Sequence, residues 1–96
     1  MNAAVPKEAE RPVMPIELRD AEQLRVERKL DDAMIVCAKF MDKHFDFVPA
    51  LVLAANIMID AEKFGAAFVY MQRASQLAPD ESVVWNNLAL CYQETD

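Results

Sequence analysis

The chain has 96 residues, enough for one domain near the lower end of the sizes that a hydrophobic core stabilises without disulfides or metals. An apolar content of 54% with a single glycine argues against a disordered chain and favours a packed helical one. Sixteen acidic residues against ten basic ones give a net charge of −6, which argues against nucleic acid because phosphate binding requires a cationic surface. A neutral or basic protein partner is favoured instead.

The two cysteines, Cys37 and Cys91, are too few and too far apart for a disulfide framework or a zinc motif. Both fall inside helical patterns, so we expect them to pack as small apolar residues in a reducing compartment. The first residues lack the basic start and apolar run of a signal peptide, and no apolar stretch reaches the roughly 20 residues of a membrane span. We therefore expect a soluble, cytoplasmic protein that makes no membrane contact.

The first fifteen residues contain three of the five prolines, Pro6, Pro12 and Pro15. Each proline removes a backbone donor and biases the preceding residue toward extended backbone. The sequence therefore predicts an extended arm over residues 1–15. Two interpretations stay open: a disordered tail, or a segment that lies along the helices or a partner with Met14 among its anchors.

A helical pattern begins near Glu17, where Leu18, Ala21 and Leu24 form a narrow apolar stripe opposite a charged face. This spacing predicts an amphipathic, half-exposed first helix. A second helix is predicted over residues 30–43, where two aspartates suit the positive end of the helix dipole.

The third helix is predicted from Val48 to about Glu62, with a proline tolerated in its first turn. A fourth helix follows Lys63 and stops at Pro79, and a fifth begins near Ser82. The apolar positions of the third helix are Leu51, Ala54, Ala55 and Met58. The fifth helix repeats them, at an offset of 34 residues, as Trp85, Leu88, Ala89 and Tyr92. A fixed period with two helical patterns in each repeat is typical of a helical solenoid.

These residues resemble the tetratricopeptide repeat family. The middle repeat carries the family's pattern at Leu51, Ala54, Ala55, Met58, Ala67, Met71, Ala74 and Pro79. The resemblance implies an all-α, right-handed solenoid of antiparallel helix hairpins, about five helices over residues 16–96, with repeats near 16–46 and 48–80 and a partial one at 81–96. The first repeat departs from the pattern at Phe40 and Phe45, where the family prefers Ala and Pro, which puts its close packing in doubt.

In this family the first helix of each repeat lines a concave groove for peptides or partner helices. The resemblance places Val52, Asn56, Ile59 and Asp60 of the middle repeat and Val83, Asn86, Asn87, Leu90 and Gln93 of the last repeat on this inner face. The predicted partner-binding residues among them are Val52, Asn56, Ile59, Asn86, Asn87 and Leu90. Asparagine amides can hydrogen-bond an extended peptide, and the aliphatic side chains offer pockets. The absence of Lys and Arg from these positions argues against the basic clamp that some members use for carboxylates. The expected function is a non-catalytic interaction module or scaffold for a protein or peptide.

Two alternatives stay open. In the family, Trp85, Leu88 and Tyr92 would pack against a further helix that the sequence does not contain. The chain could therefore be the start of a longer repeat array, or it could be a homo-oligomer or a structural subunit of a larger assembly, such as a multi-subunit complex or a virion part, joined through this open interface. It could also be a secretion-type chaperone, since such chaperones can be small acidic tetratricopeptide proteins.

One cluster could suggest catalysis or metal binding, the Asp42-x-His44-x-Asp46 segment in the predicted turn between the second and third helices. Aspartate caps and a histidine near a helix end are ordinary in such a turn. The sequence contains no glycine-rich phosphate loop and no activated nucleophile beside a base. We therefore expect no enzyme activity, no cofactor and no metal site.

Overall fold

The computed structural model describes residues 14–94, and within this range the chain is all-α, with no strand. The five helices are α1 (Ile16–Val26), α2 (Leu30–Lys43), α3 (Val48–Asp60), α4 (Phe64–Leu77) and α5 (Ser82–Glu94). This confirms the expected all-helical class and the number of helices. The arm predicted over residues 1–15 lies outside the described residues, apart from its last two.

Each helix packs against the next one along the chain, and α1 also contacts α3. The buried side chains form two clusters that meet at α3. Ala50, Leu53, Ala54 and Ile57 of this helix belong to a first cluster with α1 and α2. Leu51 and Ala55 belong to a second cluster with α4 and α5. Both sides of α3 are covered by other helices, and six of its residues are buried. Its sequence contains no charged residue except Asp60, the last residue of the helix.

The connection between α1 and α2 has the same backbone conformation as the connection between α3 and α4. Arg28 and Glu62, 34 positions apart, both adopt a left-handed backbone, with φ values of 65° and 61°. In each connection the next backbone N–H bonds at 2.8 Å to a carbonyl five residues earlier. This is the hydrogen bond that closes a helix end around a left-handed residue. The left-handed turn also explains why α3 ends at Asp60, two residues before the predicted boundary.

Two alanines let α3 and α4 approach each other. Ala55 and Ala67 are fully buried in the second cluster, where Met71 packs beside them. Met58 is half-buried and contacts both clusters. Small side chains therefore lie at the centre of this contact, and methionines fill the space around them.

The end of α2 accommodates a large side chain at Phe40, where the resemblance predicts a small one. Phe40 is buried in the first cluster, and its ring centroid lies 4.6 Å from that of His44 and 5.5 Å from that of Phe47. Phe45, by contrast, is 67% exposed. The large Phe40 ring is thus accommodated by packing against the rings of His44 and Phe47 near the C-terminal end of α2.

Both cysteines are buried, Cys37 in the first cluster and Cys91 in the second. The Cys37 thiol donates to the carbonyl oxygen of Ala50 across 3.4 Å, which links α2 to α3. Burial raises the pKa of this thiol to about 11, so it stays protonated at neutral pH. Across residues 14–94, none of the helices combines the length and the apolar character that crossing a membrane requires.

Candidate partner-binding surfaces

An open cavity of about 600 Å³ lies where α1, α3 and α5 face each other. We call it the groove, and its principal lining residues are Glu22, Val48, Val52, Asn56, Val83 and Val84. Most of this lining comes from the N-terminal halves of α3 and α5. Because the 34-residue offset places Val83 at the position of Pro49, the two helices present equivalent turns to the groove. A mostly apolar concavity with a few polar groups is the usual composition of a binding site.

A pair of asparagines lies at the inner edge of the groove. The Asn87 amide nitrogen donates to the Asn56 amide oxygen across 3.2 Å, and both side chains are partly buried. This bond links α5 to α3. It uses neither the Asn56 amide nitrogen nor the Asn87 amide oxygen, and neither of these two atoms has a hydrogen-bond partner among residues 14–94. A peptide backbone offers one N–H donor and one carbonyl acceptor per residue. The Asn87 amide oxygen can accept from such an N–H, and the Asn56 amide nitrogen can donate to such a carbonyl.

The structure brings only part of the predicted partner-binding set into the groove. Val52 and Asn56 line it, and Asn87 reaches it through its bond to Asn56. Ile59 and Leu90 are half-buried elsewhere, and Asn86 is exposed. Ile59 packs against the second cluster instead. The groove is therefore displaced by about a turn toward the start of α3 and α5 relative to the prediction.

Several lining residues were not among the predicted partner-binding residues. Val48 lies one helical turn before Val52, and the helical period alone could have added it to the same face. Glu81 and Met14 also line the groove but belong to connecting segments, for which no helical period applies. Met14 directly precedes Pro15 and α1, so the chain enters the helical domain at the groove.

The groove carries negative charge. Among residues 14–94, its charged lining residues are Glu22 and Glu81, and no Lys or Arg of that range lines it. Glu22 is paired with Arg25 across 2.8 Å, whereas the Glu81 carboxylate has no partner in the described part of the chain. The unpaired carboxylate would favour a cationic group on a bound chain.

Arg25 joins α1 to α3. Besides Glu22, it donates to the Asp60 carboxylate across 2.7 Å, and Arg28 approaches the same carboxylate. Hydrogen bonding to Glu22 raises the pKa of Arg25 further above its ordinary value, so the guanidinium stays charged at every accessible pH. This network fixes the distance between α1 and α3 at their C-terminal ends.

A second surface lies between α4 and α5. We call it the α4–α5 face, and it consists of Phe68, Gln72, Gln76, Trp85, Ala89 and Tyr92 around a cavity of about 410 Å³. Trp85 is 50% exposed and Tyr92 61% exposed, whereas Leu88 is buried against α4. Of the three residues predicted for an open interface, two are therefore accessible, and Leu88 forms the floor beneath them.

The aromatic rings of this face are held in place. The Trp85 indole N–H donates to the carbonyl oxygen of Pro79 across 2.7 Å. The Tyr92 ring meets the Phe68 ring edge to face, with centroids 5.1 Å apart. Both exposed rings are thus oriented before any partner arrives, which lowers the entropy cost of binding.

The Asp42-x-His44-x-Asp46 segment makes structural contacts. Asp46 pairs with Arg73 of α4, His44 stacks on Phe40, and Asp42 is exposed. Within residues 14–94, no group of three or more His, Cys, Asp or Glu side chains is arranged to hold a metal ion. The contacts of Asp46 and His44 tie the α2–α3 turn to its surroundings.

No protein-family model matches the sequence, and comparison with curated proteins found no relative. The functional argument therefore depends on the chain's own residues and on the two surfaces described above.

Proposed function

We propose that this chain is a non-catalytic protein–protein interaction module that binds a peptide or a partner helix in the groove. Its helices would form a right-handed solenoid of the tetratricopeptide type. The proposal is supported by the 34-residue spacing that recurs in the structure: α2 and α4 begin at Leu30 and Phe64, and α3 and α5 at Val48 and Ser82. Arg28 and Glu62, the two residues with a left-handed backbone, are also 34 positions apart.

The observation that carries the proposal is the combination of apolar and polar groups in the groove. Val48, Val52 and Val83 offer aliphatic contact, and the amides of Asn56 and Asn87 lie beside them. An extended peptide needs both kinds of group, because its side chains require pockets and its backbone requires hydrogen bonds.

The charge of the groove indicates the chemistry of its partner. The Glu81 carboxylate has no partner among residues 14–94, and on an acidic chain it favours a segment with aliphatic side chains and a flanking Lys or Arg. We expect the affinity of such a segment to fall as the salt concentration rises, because screening weakens exposed charge pairs.

A peptide selection tests this proposal. Random 15-residue peptides displayed on phage would be selected on the immobilised protein and then synthesised for calorimetric titration. The informative variant is Val83→Asp, because Val83 is 46% exposed and lines the groove. Its matched control is Val69→Asp, since Val69 is 63% exposed on α4 outside both surfaces.

We expect Val83→Asp to weaken peptide binding at least about tenfold, which corresponds to about 1.4 kcal/mol, and Val69→Asp to leave it unchanged. Asn56→Ala should weaken binding in the same direction while the helical circular dichroism stays the same. If the selected peptides bind the Val83→Asp and Val69→Asp variants equally well, the groove is not their site.

The α4–α5 face supports a second candidate function, a structural subunit of a larger assembly. Exposed aromatic residues are enriched at protein interfaces, and Trp85 and Tyr92 lie on this face. A reducing compartment such as the cytoplasm suits either role, because Cys37 and Cys91 lie in different core clusters.

A further inference from the structure

The N-terminal residues of the chain are attached to the helical domain at the groove. Met14 directly precedes Pro15 and α1, and it lines the groove together with Glu81, which lies just before α5, and Val83 of α5. Residues 1–13 therefore leave the domain from the edge of this cavity. A segment tethered beside a binding site reaches that site at a high effective concentration, whatever the concentration of the protein.

Residues 11–13 are long enough to cross the groove. Three residues of extended backbone span roughly 10 Å. A compact space with the groove's volume of about 600 Å³ is about as wide as that. Pro12 and Pro15 also bias the residues before them, Arg11 and Met14, toward extended backbone. The sequence beside Met14 thus favours the form in which a peptide lies along a groove.

The chemistry of this segment matches that of the groove. Arg11 supplies a guanidinium, and Val13 supplies an aliphatic side chain. The groove offers valine side chains and the Glu81 carboxylate, which has no partner among residues 14–94. The Val13 backbone also has an N–H and a carbonyl, and the amides of Asn56 and Asn87 retain an acceptor and a donor for such groups.

The distribution of charge along the chain favours this contact. Residues 1–13 contain two basic and two acidic residues, so the whole net charge of −6 belongs to residues 14–96. The segment is therefore not repelled by the acidic helical domain as a whole. Arg11, its cation closest to Met14, gains from a position opposite the Glu81 carboxylate.

We propose that residues 11–13 occupy the groove of their own molecule as an internal ligand. Arg11 faces the Glu81 carboxylate, and Val13 packs against the valines of the groove. A peptide from another protein must displace this segment, so the arm reduces the apparent affinity of the groove for outside partners. The inference rests on the proposed function, because both assign the groove to an extended peptide segment.

A comparison of ¹⁵N-labelled full-length chains tests the position of the arm. We expect Arg11→Glu to shift the amide signals of Val83 and the side-chain amide signals of Asn56 and Asn87, because the segment leaves the groove when its cation is reversed. Lys39→Glu is the matched control, since it makes the same change of charge at an exposed residue of α2 that does not line the groove. Its groove signals should match those of the wild type.

Peptide affinity tests the consequence for binding. Calorimetric titration with a phage-selected peptide should give a dissociation constant at least about threefold lower for Arg11→Glu than for the wild type, because the internal competitor is weakened. Val13→Asp should act in the same direction by removing the aliphatic contact. Lys39→Glu should not, and it also measures any gain that arises only from the more negative net charge.

Protein concentration distinguishes the arm of the same molecule from that of a second copy. An internal contact leaves the groove signals of the wild type unchanged between about 20 and 500 μM protein. Signals that move with concentration toward a bound state would mean that the arm of another copy enters the groove, and this would overturn the proposal.

The proposal and the proposed function can fail separately. Identical groove signals and equal peptide affinities in the wild type and Arg11→Glu would overturn the internal ligand, while peptide binding in the groove would stand. If phage selection on Arg11→Glu yields no groove-binding peptide, the proposed function fails. The spectra of the two chains would still decide whether the arm lies in the groove.

Discussion

Single side chains set how closely the helices pack. Ala55 and Ala67 are fully buried where α3 meets α4, so we expect a larger side chain at either position to push the two helices apart. The buried methionine Met71 lies in the same cluster, so any added volume must displace it or a backbone.

The substitution Ala67→Leu should therefore destabilise the fold. Overpacking of a buried site costs about 1–3 kcal/mol in the free energy of unfolding. Urea denaturation measures this change, and Ala66→Leu is the matched control, because Ala66 is exposed in the same turn of α4. A loss of stability that is equal in the two variants would show that the α3–α4 contact is not tightly packed.

Glu62 has a left-handed backbone conformation, and a substitution there should stabilise the fold instead of destabilising it. A non-glycine residue at a φ of 61° is strained, and the exposed Glu62 side chain makes no hydrogen bond or ion pair within residues 14–94 that would offset the strain. We expect Glu62→Gly to raise the free energy of unfolding by about 1 kcal/mol, net of the entropy that glycine adds to the unfolded chain.

Thermal and urea unfolding of Glu62→Gly measure this gain. Lys63→Gly is the control, since Lys63 has a φ of −102° and glycine brings no relief there. The same gain at both positions would mean that backbone strain is not its source. Arg28 has the equivalent conformation but also contacts Asp60, so Glu62 gives the clearer result.

At the level of helices, contacts between helices that are distant in the sequence complete the fold. Arg25 of α1 reaches Asp60 of α3, 35 residues later in the sequence, and both side chains are about three-quarters buried. This ion pair acts together with the packing of Leu18 and Ala21 to hold α1 against its neighbours.

A double-mutant cycle with Arg25→Met and Asp60→Asn measures the strength of this link. We expect a coupling free energy of about 0.5–1 kcal/mol at low salt, which decreases as salt is added, because the pair is still partly exposed. A coupling of zero at low salt would mean that α1 is held by apolar packing alone.

The helices themselves were predictable from the sequence because the signals for them are local. The predicted bounds of α2, residues 30–43, are those of the structure, since apolar spacing and charged ends mark a helix within its own residues. The end of α3 was predicted two residues too late, because Glu62 is neither Gly nor Asn and gives no sign of a left-handed turn.

The groove was only partly predictable, because its position depends on how α3 and α5 are aligned along their axes. The resemblance to the tetratricopeptide repeat family pointed to Val52 and Asn56, but it also pointed to Ile59 and Leu90, which do not line the cavity. The bond between Asn56 and Asn87 and the pair formed by Arg25 and Asp60 join distant segments. No periodic pattern in one sequence indicates such pairings.

For the molecule as a whole, the two surfaces lie on different sides of α5. The groove is lined by α1, α3 and the start of α5, and it combines aliphatic residues, amides and acidic residues. The α4–α5 face is neutral and aromatic. The two surfaces therefore differ in position, in charge and in side-chain chemistry.

The most direct test of peptide binding in the groove is an NMR titration. A peptide selected by phage display would be added to ¹⁵N-labelled protein, and the shifts of the backbone and side-chain amide signals would be followed. We expect the largest changes at Val52, Val83 and the side-chain amides of Asn56 and Asn87, with little change at Ala89. Changes confined to Trp85, Ala89 and Tyr92, with Val52 and Asn56 unaffected, would contradict the assignment of the groove as the binding site.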